Sequence, residues 1–191
     1  MNLCGLILAG GASTRMGTPK ALLDWQGETF LDRLIRLFAL HCFEVIVVLG
    51  HNPEAIPRGG CARYVVNPRP EHGQLSSLQC GLARLPDDAA GFLFTPVDHA
   101  PVREETVERV ATELRGPHPL VIPRFEGRRG HPVAALRSIA EELLALPPGA
   151  TARDVIHRHA AETLYVDVAD SAAVEDIDDP AAYERMRKGA Q

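Results

Sequence analysis

Apolar residues fall in short dense blocks along this chain, and between the blocks they recur at spacings of three and four. The blocks at residues 3–9, 44–49, 63–66, 91–97, 120–123 and 163–168 read as β-strands. The first, second and fourth are almost wholly apolar, as expected for strands buried on both faces of a parallel sheet. Helical patterns occupy residues 29–41, 75–85, 104–115, 138–146 and 180–188. Asp87, Asp88 and Gly91 punctuate one return to the sheet, and Gly116–Pro117 another. Residues 146–154, rich in Pro and Gly, read as a loop inside the domain. Strands alternating with helices predict an α/β sandwich of three layers, with right-handed crossovers around a mostly parallel sheet. The 191 residues suit one domain spanning 1–191. Ligands of such sheets bind beyond the carboxyl ends of the strands, so the residues after Ala9, Val66 and Val97 are the first candidates.

Composition narrows the partners. The chain is 46% hydrophobic, enough for a sizeable core, and its net charge is −5. A broad basic surface for nucleic acid is not expected, and Trp25 and the few other aromatics form no stacking stripe. A local cluster of cations inside an acidic protein still suits a small anion. Four cysteines stand at positions 4, 42, 61 and 80 without a CxxC pair, which fits a reduced, cytoplasmic setting. Cys4 and Cys80 read as small core residues. No basic segment precedes the first apolar run, so it is not a signal peptide, and no apolar run is long enough to span a bilayer.

The stretch LAGGASTRMGTPKALL begins at Leu8, where the first strand ends. Gly10 and Gly11 allow a sharp turn that brings backbone N–H groups close to a ligand, a concavity suited to anions. Arg15 offers a planar fork to phosphate oxygens, and Lys20 a compact charge. The spacing fits neither the Walker A loop nor the dinucleotide fingerprint. A plain strand-to-helix turn with solvated cations is the simpler reading of two glycines alone, and Ser13, Met16, Gly17 and Pro19 make the pattern more specific than that.

This loop resembles that of the nucleotidyltransferases that act on molybdenum cofactor, relatives of the enzymes that make nucleotide-diphospho-sugars. Four other segments resemble the same family in the expected order: VVNPRPEHGQLSSLQCGL, TPVDHAPV, GRRGHPVAAL and DIDDPAAYERM. The resemblance implies a Rossmann-like sheet of the nucleotide-diphospho-sugar transferase type. It implies an enzyme that moves a nucleotidyl group from an NTP to the phosphate of molybdopterin, with Mg²⁺ as the metal. Leu8, Ala9, Gly10, Gly11, Ser13 and Gly17 would wrap the nucleotide, with Arg15 on the triphosphate and Lys20 near the α-phosphate. Asn67, Ser76 and Ser77 are further nucleotide contacts, although Asn67 could equally shape an Asn-Pro turn and Ser76 could cap a helix. Asp98 would be both catalytic and a metal ligand, with either Asp176 or Asp178 supplying the second carboxylate. Asp178 could instead cap the last helix. Arg128, Arg129 and His131 read as a cationic patch for the acceptor, and Arg153 as a further acceptor contact in an incomplete version of the family's segment.

The donor base divides the motifs. Gly10 is guanylyl-like, whereas Ser13, Thr18–Lys20 and the Gly-His-Pro segment are cytidylyl-like, and the balance favours CTP. Two other readings stand beside this one. The acceptor could be a sugar phosphate or another small phosphate. Alternatively the chain could be a non-catalytic accessory that carries nucleotide or cofactor to a molybdenum enzyme. His157 and His159 lie on different helical faces, and His41, His51, His72 and His118 read as surface or loop residues.

Overall fold

The computed structural model describes residues 1–189. Its strands and helices follow in chain order as β1 (Leu3–Ala9), β2 (Asp24–Trp25), β3 (Glu28–Thr29), α1 (Phe30–Ala39), β4 (Glu44–Leu49), β5 (Ala62–Val66), α2 (Gln74–Leu82), β6 (Gly91–Pro96), α3 (Glu104–Glu113), β7 (Leu120–Phe125), β8 (Arg128–Arg129), β9 (Val133–Leu136), α4 (Arg137–Leu144), α5 (Ala152–Arg158), β10 (Thr163–Asp167) and α6 (Pro180–Gly189). The main sheet has the order β10-β7-β9-β6-β1-β4-β5, with β8 paired to β7. β1 runs parallel to β4 and β6, β4 to β5, and β7 to β10. β9 alone among the inner strands is antiparallel, lying between β6 and β7.

The all-apolar sequence of β1 follows from this position. Leu3 and Ile7 point into one core with α1 and α3, while Cys4, Leu6 and Leu8 point into another with α2 and α4. Two-residue alternation thus feeds both faces, and every β1 residue is buried. Each fully buried Leu or Ile side chain is worth about 1.5–3 kcal/mol of removal from water. A Cβ on Gly5 would come within 2.6 Å of Phe38 Cδ2, so α1 lies directly on this strand. Tyr183 and Met186 of α6 pack against the same core as α1 and α3. The result is a mostly parallel Rossmann-like sheet with helices on both faces.

Three features differ from the sequence reading. β9 was not expected, because a four-residue run between two turns carries too little periodicity to register. The short β2–β3 hairpin is too brief to register either. The segment at 146–154 is a loop only as far as Thr151. There a capping box begins α5: Thr151 N–H donates to Asp154 Oδ2 at 2.7 Å, and the Thr151 side chain in turn serves the backbone of Asp154.

The fold fixes where a ligand can enter. From β1 the chain goes outward to β4 and β5, then crosses back to β6 on the other side of β1. The connections diverge at the carboxyl ends of β1 and β6, which opens a crevice there. The segment after β6 is anchored from two sides. Arg33 on α1 donates to the carbonyls of Ala100 and Val102 at 2.8 and 3.1 Å. Asp170 accepts from Arg103 N–H at 2.9 Å and from Thr106 Oγ1 at 2.7 Å, which holds the start of α3.

Candidate active site

Where β1 ends, two backbones cross at close range. A Cβ on Gly50, just past β4, would lie 2.5 Å from Gly10 O and 2.7 Å from Gly10 Cα. A Cβ on Gly10 would meet Ser77 Oγ at 2.9 Å. Glycine is therefore required at position 50 by backbone packing, whatever ligand binds, whereas a Cβ at position 10 would press only on a side-chain oxygen. His51 N–H closes the crossing with a 3.3 Å hydrogen bond to Gly10 O. Gly11 meets nothing within 4 Å and faces open space. Beyond it the loop folds on itself. Ser13 has φ +49° and Gly17 +68°; Met16 N–H donates to Ser13 O at 3.0 Å, and Lys20 N–H to Ser13 Oγ at 3.1 Å.

The loop borders a cleft of 360 Å³. Leu8, Ala9, Gly10, Gly11, Ser13, Arg15 and Lys20 line one side, Ser77 at the start of α2 lines another, and Asp98 and Asp178 close the end. Residues far apart in the chain meet here. Lys20 Nζ lies 2.8 Å from Asp98 Oδ2 and 2.6 Å from Asp178 Oδ1, and Arg15 reaches Asp178 Oδ2 at 3.1 Å. Burial alone would push the Lys20 pKa down, but Asp98 and Asp178 more than offset it, so the ammonium is held above its ordinary value. The hydrogen bond from Lys20, joined by Arg15, holds the Asp178 carboxyl below the usual range. A polyanion entering the cleft would meet Lys20 and Arg15 together, with Asp178 as the group it displaces.

A second constellation lies beside the first. Asp98 and His99 share a short 3₁₀ turn, and His99 Nε2 is 3.1 Å from Asp176 Oδ1. That contact holds Asp176 below the usual carboxylate range. Ligand atoms of Asp98, His99 and Asp176 all lie within 4.8 Å of one another. Asp98 Oδ1 is buried and has no hydrogen-bond partner among the described residues, although Oδ2 is taken by Lys20. A buried carboxylate oxygen without a donor is unfavourable, and a cation is the natural way to satisfy it. These residues therefore fit a divalent ion. Of the two carboxylates the sequence left open, Asp176 belongs to this cluster and Asp178 to the cations.

Other expected residues fall elsewhere. Asn67 is buried and donates to Ser76 Oγ and Ser77 Oγ at 2.8 and 3.1 Å, while its Oδ1 accepts from Arg69 N–H. It ties the end of β5 to α2 and does not line the cleft. Ser76 hydrogen-bonds the carbonyls of Gly73 and Arg69, and neither it nor Gly17 lines the cleft. The supposed cationic patch is divided. Arg128 donates to Val174 O and borders a separate hollow with Arg33, Arg103 and Arg185, whereas Arg129 lies over the Tyr165 ring. His131 turns inward against His99 and Phe94, and burial of the ring, with His99 nearby, pushes its pKa down to about 3. It is a neutral packing group and not a cation, because a desolvated imidazole resists protonation. Arg153 is exposed on the first turn of α5, outside the cleft. His99 and Gly50 are the site residues that the sequence reading missed. His99 stands next to Asp98 in the chain, so adjacency was the available signal; Gly50 had none.

A glycine loop at a switch point, paired cations and an end wall of carboxylates make a cleft in an α/β sandwich that suits a phosphate-bearing ligand. The chain belongs to the family described as the MobA-like NTP transferase domain, whose model matches residues 5–163. A probable molybdenum cofactor guanylyltransferase from Bacillus cytotoxicus is 28% identical over 135 residues, covering 67% of this chain and 65% of that relative. One of the same description from Bacillus cereus is 27% identical, covering 74% and 72%. Among solved structures, Rv0371c from Mycobacterium tuberculosis is 25% identical with a TM-score of 0.83, covering 98% of each chain. A Methanothermobacter nucleotidyl transferase is 21% identical with a TM-score of 0.82, covering 98% and 97%, which supports the fold. No described helix is long and apolar enough to cross a membrane.

Proposed function

We propose that this protein transfers a nucleotidyl group from an NTP to the phosphate of molybdopterin and releases pyrophosphate. The observation that carries the reading is the convergence of Lys20, Arg15 and Asp98 on one cleft beside the glycine loop. In this reaction an acceptor phosphate oxygen forms a bond to the α-phosphorus. The bond from that phosphorus to the β-phosphate oxygen breaks, and its electron pair leaves with pyrophosphate. The protein's work is positioning and charge stabilisation. Lys20 and Arg15 exchange Asp178 for phosphate oxygens as the triphosphate enters. A divalent cation, Mg²⁺ on the sequence expectation, would be held by Asp98 and Asp176 and would neutralise charge on the phosphates. Arg128 remains the acceptor contact in this reading, because the hollow it borders also reaches Asp176.

CTP is the donor we favour. Ser13 and the Thr18–Lys20 segment support it, and both belong to the loop beside the cleft. Gly10, the guanylyl-like feature, has a packing neighbour in Ser77 Oγ. His131 of the cytidylyl-like segment likewise has one, so neither reads a base on present grounds. The printed names of the Bacillus relatives favour GTP as the second reading. Pyrophosphate release with CTP, GTP, ATP and UTP, each with and without molybdopterin, tests both. Release that requires molybdopterin and is fastest with CTP is the expected result. Fastest release with GTP selects the second donor. Release only with sugar phosphates moves the acceptor, and nucleotide binding without any release favours a carrier that delivers cofactor to a molybdenum enzyme.

A further inference from the structure

We propose that His99 is a third metal ligand, and that Asp98, His99 and Asp176 form a mixed nitrogen–oxygen site selective for a first-row transition cation over Mg²⁺. The inference deepens the nucleotidyl-transfer reading, but it concerns only what this side-chain cluster binds.

Three observations support it. First, His99 Nε2 and Asp176 Oδ1 are 3.1 Å apart. Two ligands at about 2.1 Å from one ion, set at right angles, lie about 3 Å from each other. The pair is already spaced as neighbours on a coordination shell. Second, the buried Asp98 Oδ1 lacks a partner while Lys20 occupies Oδ2, which leaves one oxygen free for a monodentate bond. Third, the other His99 nitrogen, Nδ1, is 3.5 Å from Ala172 O. A carbonyl only accepts, so a hydrogen bond there takes a ring proton on Nδ1, and an ion that displaces the Nε2 proton would find that nitrogen already beside Asp176. Anchoring of this kind orients metal-binding histidines. His131 covers the ring, with centroids 4.7 Å apart, and fixes its plane by packing.

The donor set decides the ion. Mg²⁺ favours oxygen ligands and retains its waters, whereas an imidazole nitrogen adds affinity for first-row transition ions. The competing account is a simple ion pair between a protonated His99 and Asp176, with no role in binding metal.

The test uses the full chain, stripped with a chelator and free of nucleotide. Mn²⁺ binding is followed by the loss of the free-ion EPR signal, and Mg²⁺ by competition. Wild type should bind Mn²⁺ at least about tenfold more tightly than Mg²⁺. His99→Ala should weaken Mn²⁺ about tenfold or more and Mg²⁺ less than about threefold. Asp176→Asn should weaken both, and Asp178→Asn should change neither by more than about threefold. In the wild-type protein loaded with Co²⁺, a histidine ring should show strongly shifted NMR resonances, a readout that needs no variant to fold. Mn²⁺ affinity unchanged in folded His99→Ala, or Co²⁺ bound without a shifted histidine, overturns the proposal. Because nucleotide is absent, a failed transfer assay leaves this result standing, and the reverse also holds.

Discussion

Replacing Gly50 with alanine tests whether the crossing of two backbones shapes the nucleotide loop. The new Cβ would sit 2.5 Å from Gly10 O, 2.7 Å from Gly10 Cα and 3.0 Å from Gly10 C. All three neighbours are backbone, so no side chain can swing aside. Ordinary contacts of this kind are about 3.4 Å or longer, so one strand end must move by roughly 0.5–1 Å. Overpacking of this size costs about 1–3 kcal/mol. In a domain of this length that lowers Tm by about 2–12 °C. The displacement also reaches the His51–Gly10 hydrogen bond and the loop that follows, so NTP affinity should fall about tenfold. Gly11→Ala is the control for stability, because its Cβ would meet nothing within 4 Å. Scanning calorimetry and equilibrium titration with NTP read the two effects. If Gly50→Ala melts and binds like the parent, the close approach of the two backbones is not a constraint on the loop.

Removing the Lys20 ammonium with Lys20→Ala should lower kcat about 10²–10³-fold, as for other lost electrostatic donors, with a change in KM below about tenfold; steady-state pyrophosphate release measures both. Asp170→Ala removes a buried carboxylate that receives two hydrogen bonds at the start of α3. Stability should fall by about 2–3 kcal/mol, read as a lower denaturant midpoint with an unchanged slope. His159 lies 2.9 Å from Glu162 and 2.5 Å from Glu142, and these hydrogen bonds raise its pKa above 6.5. A histidine raised on folding stabilises fully below 6.5 and loses that contribution as pH climbs through its folded value. NMR titration should place the ring above 6.5, and His159→Gln should flatten the decline in stability that begins above pH 6.5.

The sequence by itself determined the features that depend on neighbours along the chain. Apolar density placed β1 and β4 with their observed bounds, and β6 to within one residue. Turn chemistry placed the glycine loop at the end of β1, and the position after an apolar strand marked Asp98. Those signals are local, because a strand buried on both faces must be apolar throughout and a sharp turn needs glycine. Tertiary structure decided everything that depends on which elements become neighbours. Lys20 meets Asp178, 158 residues further on, because α6 and the segment before it return to the end of β6. Asp176 and Asp178 look equivalent in the chain, yet one faces His99 and the other Lys20, since the segment that carries them is irregular and its path is set by the elements it packs against. His131 reads as a cation beside two arginines and becomes neutral because the fold turns it inward, where desolvation outweighs its attraction to carboxylates. β9 enters the sheet antiparallel, although its four residues carry almost no signal, because β6 and β7 supply partners on both edges. Gly50 has no motif at all: its need for a missing side chain comes wholly from Gly10 on the adjacent strand, and only the packed sheet brings the two together.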